Sequence, residues 1–227
     1  MGCYRFAGDP APSTTTSSTQ PAEKNPSIIE QVKLGVASVA KSFTIDMWLA
    51  RHTPEKVLPI LHKVLTSVKE EFADAVANGG GIYAVGYCFG AKYVLLLGSE
   101  TGGEELLAQP VASAGGGDDR AAEEGTVTKG PLIKAGAIAH GTQIQADEVA
   151  NVKVPISIVA VESDPLFPDE EREAGVKGLQ GSGVEHQVEV YKDVPHGFAV
   201  MGEYADEGIR EKQGLAFESM VGWLKGH

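Results

Sequence analysis

Cysteine is scarce. Cys3 and Cys88 are the only two in 227 residues, so no disulfide framework can staple the chain. A reducing, cytosolic setting is the default expectation. Positive charge is also short: 19 Lys and Arg face 31 Asp and Glu, a formal net charge of −12. That balance excludes the electrostatic footprint of a protein whose main partner is nucleic acid or an anionic membrane surface. No apolar run approaches the ~18 residues of a membrane span. Met1 to Pro10 lack the charged-then-apolar order of a secretory signal. Gly2-Cys3 would suit acylation, but Phe6 stands where a myristoylation signal needs Ser or Thr. There is no Walker loop, no CxxC pair and no HExxH. Gly79-Gly80-Gly81 comes before an expected strand rather than after one, so it does not suit a phosphate loop.

What the chain has in excess is glycine, 28 residues or about 12% against a usual ~7%. The length suits one globular domain with a real core. Residues 9–26 are rich in Pro, Ser and Thr and read, with the preceding residues, as a flexible arm over 1–26. Helical spacing begins near Ser27 with Ile28, Val32, Val36 and Val39, and a short amphipathic piece covers Ile45–Arg51. The strongest helical pattern spans 54–77. Thr53 is a plausible N-cap, Pro54 fits the first helical position, and Val57, Leu61, Val64, Leu65, Val68, Phe72 and Val76 form one stripe.

Beyond it, strands are expected at 82–85, 135–139, 155–161 and 186–191. Helices are expected near 89–98, 146–150, 168–180 and 206–225. Residues 99–134 carry glycine pairs and triplets, a charged run and few apolar groups. They read as a mobile insertion in a single domain over 27–227. Alternating strands and helices give an α/β fold with a mostly parallel sheet and helices on both faces.

Gly86-Tyr87-Cys88-Phe89-Gly90 falls between an expected strand and an expected helix. This is the nucleophile-elbow spacing with Cys in place of Ser. A tight, strained turn would lift the sulfur out at the sheet's carboxyl edge, with Gly at both flanking positions to avoid collisions with backbone. The following helix would point its N-terminus at the sulfur and favour thiolate. The Phe89 N–H could donate to a developing oxyanion. The plain alternative is a buried cysteine in a glycine turn.

A nucleophile needs a base, and the base needs an orienting acid. His196 lies in DVPHGF after the last strand; Asp164 lies in ESDP after strand 155–161. The order nucleophile, acid, histidine is that of α/β-hydrolases, each residue at the carboxyl end of a strand. Glu162, Asp169 and Asp193 are rival acids, although Asp193 is close to His196 along the loop. Asp164-Pro165 could instead be only a turn. Tyr87, His140, Phe198 and Trp48 are candidate pocket residues, with core or turn positions as the plain alternative.

GYCFGAKY (86–93), AVESDPLFP (160–168) and VPHGFAVMGEY (194–204) together resemble the dienelactone hydrolase family, especially its fungal branch. The resemblance covers most of the chain from about Ala7, outside the arm and the insertion. It implies an α/β-hydrolase fold and a Cys-His-Asp triad that opens an enol-lactone through an acyl-thiol. Cys88 is then the nucleophile, His196 the base and Asp164 its orienter, with a small acyl compound as substrate. No metal or organic cofactor is implied.

Three departures accompany the likeness. Family members carry several strands and a helix ahead of the segment resembling Phe6–Pro10, so the fold is expected to be N-terminally incomplete. That region would supply a second oxyanion N–H, a glutamate near the thiol, and strands beside the one preceding Cys88. Without them that strand is expected to be an open sheet edge, a surface for a second copy or another partner. Val200 stands where bacterial relatives hold the substrate carboxylate with arginine, which counts against an anionic substrate. The 99–134 insertion is the third. A non-catalytic binding module and a redox-sensing thiol at Cys88 are the rival functions.

Overall fold

A computed structural model describes residues 3–6, 45, 47–78, 80–100, 130–200 and 202–227. The helical pattern expected at 27–39 and nearly all of the 99–134 insertion lie outside the described residues. The chain divides into two compact units, one of Met1–Ala7 with Leu58–His227 and one of Gly8–Val57. Apart from residues 3–6, the arm expected over 1–26 lies outside the described residues. In the smaller unit, residues 47–51 are helical.

Helix α1 (Pro54–Glu71) begins with proline at its first position, and the Val57 N–H donates to the Thr53 carbonyl at 3.1 Å. The expected single helix to residue 77 is broken. Phe72 leaves helical geometry at φ −111°, ψ 33°, and a separate short helix α2 (Ala73–Ala77) follows. The apolar stripe keeps its period across the break, so spacing alone cannot reveal it.

Among the described residues the sheet has five parallel strands: β1 (Cys3–Phe6), β2 (Tyr83–Tyr87), β3 (Ala135–Ala139), β4 (Ile156–Val161) and β5 (His186–Tyr191). Their spatial order is β1-β5-β4-β3-β2. β1 falls inside the segment expected to be an arm, and it pairs with β5 in the register Tyr4 opposite Val188. Every residue of β3 and β4 is buried, as strands covered on both faces must be. β2 is an edge among the described residues, and its Val85 is 47% exposed.

Helices α3 (Phe89–Leu97), α4 (Ala146–Ala150), α5 (Asp169–Ser182) and α6 (Glu207–Gly226) complete the α/β fold. Successive strand residues point to opposite faces, and β3 shows both faces covered. A Cβ on Gly136 would lie 2.7 Å from Val94 of α3. Ala137 and Ala139 instead join a core with Val159, Val161, Tyr191 and Phe198 that receives Ala216 and Met220 of α6. On α5, Gly175 lets the helix close on α4, where a Cβ would meet Val149 at 2.6 Å and the Ala146 carbonyl at 2.9 Å. Among the described residues no helix is long and apolar enough to cross a membrane.

Candidate active site

Four adjacent strands each deliver a side chain to the carboxyl edge. Cys88 follows β2, His140 follows β3, Asp164 lies three residues past β4 and His196 five past β5. Cys88 caps α3 with φ 51°, ψ −118°. This left-handed conformation costs on the order of 1–3 kcal/mol for a residue with a Cβ. Three backbone bonds hold it: the Cys88 N–H donates to the Ala139 carbonyl, and the Cys88 carbonyl accepts from the N–H groups of Ala91 and Thr142.

Gly86 meets the steric demand expected of it, since a Cβ there would sit 2.6–2.8 Å from backbone atoms of Gly90 and Ala91. Gly90 does not. A Cβ there meets nothing within 4 Å among the described residues, so the expectation that collisions force both glycines holds at only one of them. The turn closes on the first glycine because the helix start folds back over β2.

His196 Nε2 lies 3.3 Å from Cys88 Sγ, and Nδ1 lies 2.6 Å from Asp164 Oδ2. Asp164 is buried at 3% exposure, and its other oxygen accepts the Leu166 N–H at 3.0 Å. Of the four candidate acids it is the one bonded to the histidine. Glu162 reaches Lys192 at 3.6 Å. Asp169 accepts the Ser163 N–H and the guanidinium of buried Arg172. These contacts brace the loop carrying Asp164, where Ser163 is held at φ 56°.

The electrostatics follow from this geometry. The hydrogen bond from His196 draws the Cys88 thiol below its ordinary range; burial opposes it, and the Thr142 hydroxyl and Phe89 N–H add to it. Burial pulls His196 down, but its bonds to Asp164 and Cys88 together outweigh that and raise it to about 9. Both shifts act in the same sense, each favouring the charged form of its group, thiolate at Cys88 and imidazolium at His196. Burial, then the charge of His196, pushes His140 down to about 4. His140 is neutral, fully buried, held at φ 37°, and stands edge-on to the His196 ring at 5.1 Å between centroids.

The other candidate pocket residues separate. Tyr87 lies 5.8 Å, ring to ring, from His140. Phe198 is fully buried against Tyr191 and His140, in the core. Trp48 belongs to the 8–57 unit and stacks on His52 with 45% of its surface exposed. Val200 is 46% exposed. Motif reading missed Thr142, whose hydroxyl lies 3.1 Å from Cys88 Sγ and 3.3 Å from His196 Nε2. Nothing in HGTQ marks it except its place just past β3.

The family model for dienelactone hydrolases matches residues 122–227. Over that stretch, a little under half of the chain, the sequence is similar to the dienelactone hydrolase family. The stretch holds Thr142, Asp164 and His196, while Cys88 lies ahead of it. Hydrolase pyvD of Aspergillus violaceofuscus is 29% identical over 183 residues, 81% of this chain and 60% of that protein. Hydrolase tropI of Talaromyces stipitatus is 29% identical over 173 residues, 76% of this chain and 54% of that one. Dienlactone hydrolase 1 of Gibberella moniliformis is 23% identical, with 81% and 58% covered. The chain thus spans less than two thirds of the length of each of these relatives.

Proposed function

We propose that this chain is a dienelactone hydrolase-like enzyme that hydrolyses a small lactone, ester or thioester through Cys88, His196 and Asp164. The carrying observation is the unbroken line of contacts from Asp164 Oδ2 through both His196 nitrogens to Cys88 Sγ, at 2.6 and 3.3 Å. The Cys88 thiolate attacks the carbonyl carbon, and the displaced electron pair moves onto oxygen. The Phe89 N–H, at the start of α3, donates to that oxyanion. Nε2–H of His196 protonates the leaving oxygen or sulfur, and an acyl-thiol remains. Neutral His196 then takes a proton from water, the resulting hydroxide attacks the acyl carbon, and the thiolate departs with the acid released. Asp164 holds the ring in the tautomer this sequence needs. An exposed Val200 and a net charge of −12 favour an uncharged acyl group over a carboxylated one.

The test is hydrolysis of p-nitrophenyl acetate and of a neutral enol-lactone by the wild type and Cys88→Ala. The expected result is a loss of at least 10³-fold in the variant; equal rates would sink the proposal. One observation favours a second reading, a non-catalytic module that pairs with a second copy through β2: the unpaired edge with exposed Val85. A soluble monomer by solution mass, with activity that depends on Cys88, rules that reading out.

A further inference from the structure

Cys88 Sγ, His196 Nε2 and Thr142 Oγ1 form a nearly equilateral triangle with sides of 3.1, 3.3 and 3.3 Å. Thr142 is 2% exposed, so water has little room to replace its hydroxyl. The backbone works to keep it there. The segment 140–143 has left-handed φ at both ends, 37° at His140 and 54° at Gln143, and the Thr142 N–H donates to the Cys88 carbonyl at 3.2 Å. Two strained residues within four, neither of them glycine, are held from β4 and the loop after it: the His140 N–H donates to the Val159 carbonyl and the Gln143 N–H to the Leu166 carbonyl.

A hydroxyl carries one proton and two lone pairs. Beside a neutral thiol and neutral imidazole, the Thr142 proton either goes to the thiol sulfur, a weak acceptor, or competes with the thiol proton for the Nε2 lone pair. Beside thiolate and imidazolium, every group finds its complement. The hydroxyl proton goes to sulfur, and Nε2–H is shared between sulfur and the hydroxyl oxygen.

We propose that Thr142 is a fourth catalytic residue whose hydroxyl bridges Cys88 and His196, favouring the charged pair over the neutral one and holding the thiolate for attack. The proposal rests on reading Cys88 as the nucleophile and His196 as its base. Among the described residues the other titratable groups facing the pair are His140 after β3 and Asp164 after β4.

The experiment follows alkylation of Cys88 by iodoacetamide against pH, read by mass on the Cys88 peptide so that Cys3 does not contribute. It needs no substrate. The wild type should reach half-maximal rate well below the ~8.5 of a free thiol. Thr142→Val keeps the volume and loses the hydroxyl; its midpoint should rise by about one pH unit. Thr142→Ser keeps the hydroxyl and should stay within ~0.3 unit of the wild type. Thr142→Ala serves if the valine variant does not fold and should move like it. A Val or Ala midpoint equal to the wild type overturns the bridge, as does a Ser variant that shifts as far as Val. His196→Gln separates the two readings: if that change leaves the midpoint unmoved, the nucleophile-base pair itself is refuted.

Discussion

Replacing Gly86 and Gly90 in turn separates what the elbow's geometry requires from what its motif suggests. In Gly86→Ala the new methyl would lie 2.6 Å from the Gly90 carbonyl oxygen, 2.7 Å from its carbon and 2.8 Å from the Ala91 Cα. Ordinary contact begins near 3.4 Å, so the start of α3 must retreat by about 0.6–0.8 Å. All three obstructing atoms are backbone, and no rotamer change relieves them. Overpacking of this kind costs about 2–3 kcal/mol, which lowers Tm by roughly 5–10 °C in a chain of this size. The same retreat carries Cys88 away from His196 Nε2, which begins at 3.3 Å. Misplacement near 1 Å costs on the order of 10²-fold in rate. Gly90→Ala behaves differently. Gly90 is in the first turn of α3, and a Cβ there meets nothing within 4 Å among the described residues. Alanine for glycine in a helix gains about 0.5–1 kcal/mol. Urea unfolding midpoints and initial rates on p-nitrophenyl acetate, measured on both variants, decide the matter. A Gly86→Ala protein with unchanged midpoint and rate would refute the reasoning, as would a Gly90→Ala protein destabilised as much as Gly86→Ala.

Two further outcomes are expected. Asp164→Asn should keep the fold but lower kcat by about 10²–10⁴-fold with little change in KM, because the Leu166 N–H keeps the amide oxygen and leaves the amide NH2 donating to Nδ1, which reverses the tautomer; a loss under threefold would contradict the assignment. The second concerns stability against pH, read as the difference between the wild type and the Cys88→Ala/His196→Gln double variant. The raised His196 contributes fully below pH ~6.5 and loses that contribution as pH rises through about 9. The lowered Cys88 contributes fully above ~8.5 and loses it as pH falls toward its folded value. Above the folded Cys88 value and below ~8.5 the two slopes cancel, since the folded ion pair and the unfolded neutral pair bind one proton each. A difference that is flat just below ~8.5 and falls as pH rises through about 9 is expected in urea melts from pH 7 to 10; a slope near 1.4 kcal/mol per pH unit just below ~8.5 would refute the pairing.

How legible the site was depended on the kind of residue. Cys88 is marked by the glycines around it, because a strained turn leaves a local signature. Asp164 and His196 are marked by chain order and by the strand ends they follow. Thr142 and His140 carry no such mark. Their roles come from lying beside Cys88 and His196 in space, across 54 and 56 residues of chain, and no spacing rule reaches that far.

For the fold, the sequence by itself determined the alternation of strands and helices. β3 and β5 match the expected ranges, as does α4, because a fully or alternately apolar strand bounded by turn residues admits little else. It did not reveal β1, since four residues hold too little pattern and their partner β5 lies more than 180 residues away. It missed the break at Phe72, where the apolar period runs on unbroken. Composition named the chemistry on offer: one thiol in an elbow, a histidine and several acids. Only the tertiary structure chose Asp164 among those acids, freed Gly90 from the constraint that binds Gly86, and set a hydroxyl between sulfur and imidazole. Those choices depend on atoms meeting across strand ends, where distances of about 3 Å, not sequence separation, decide which groups share a proton.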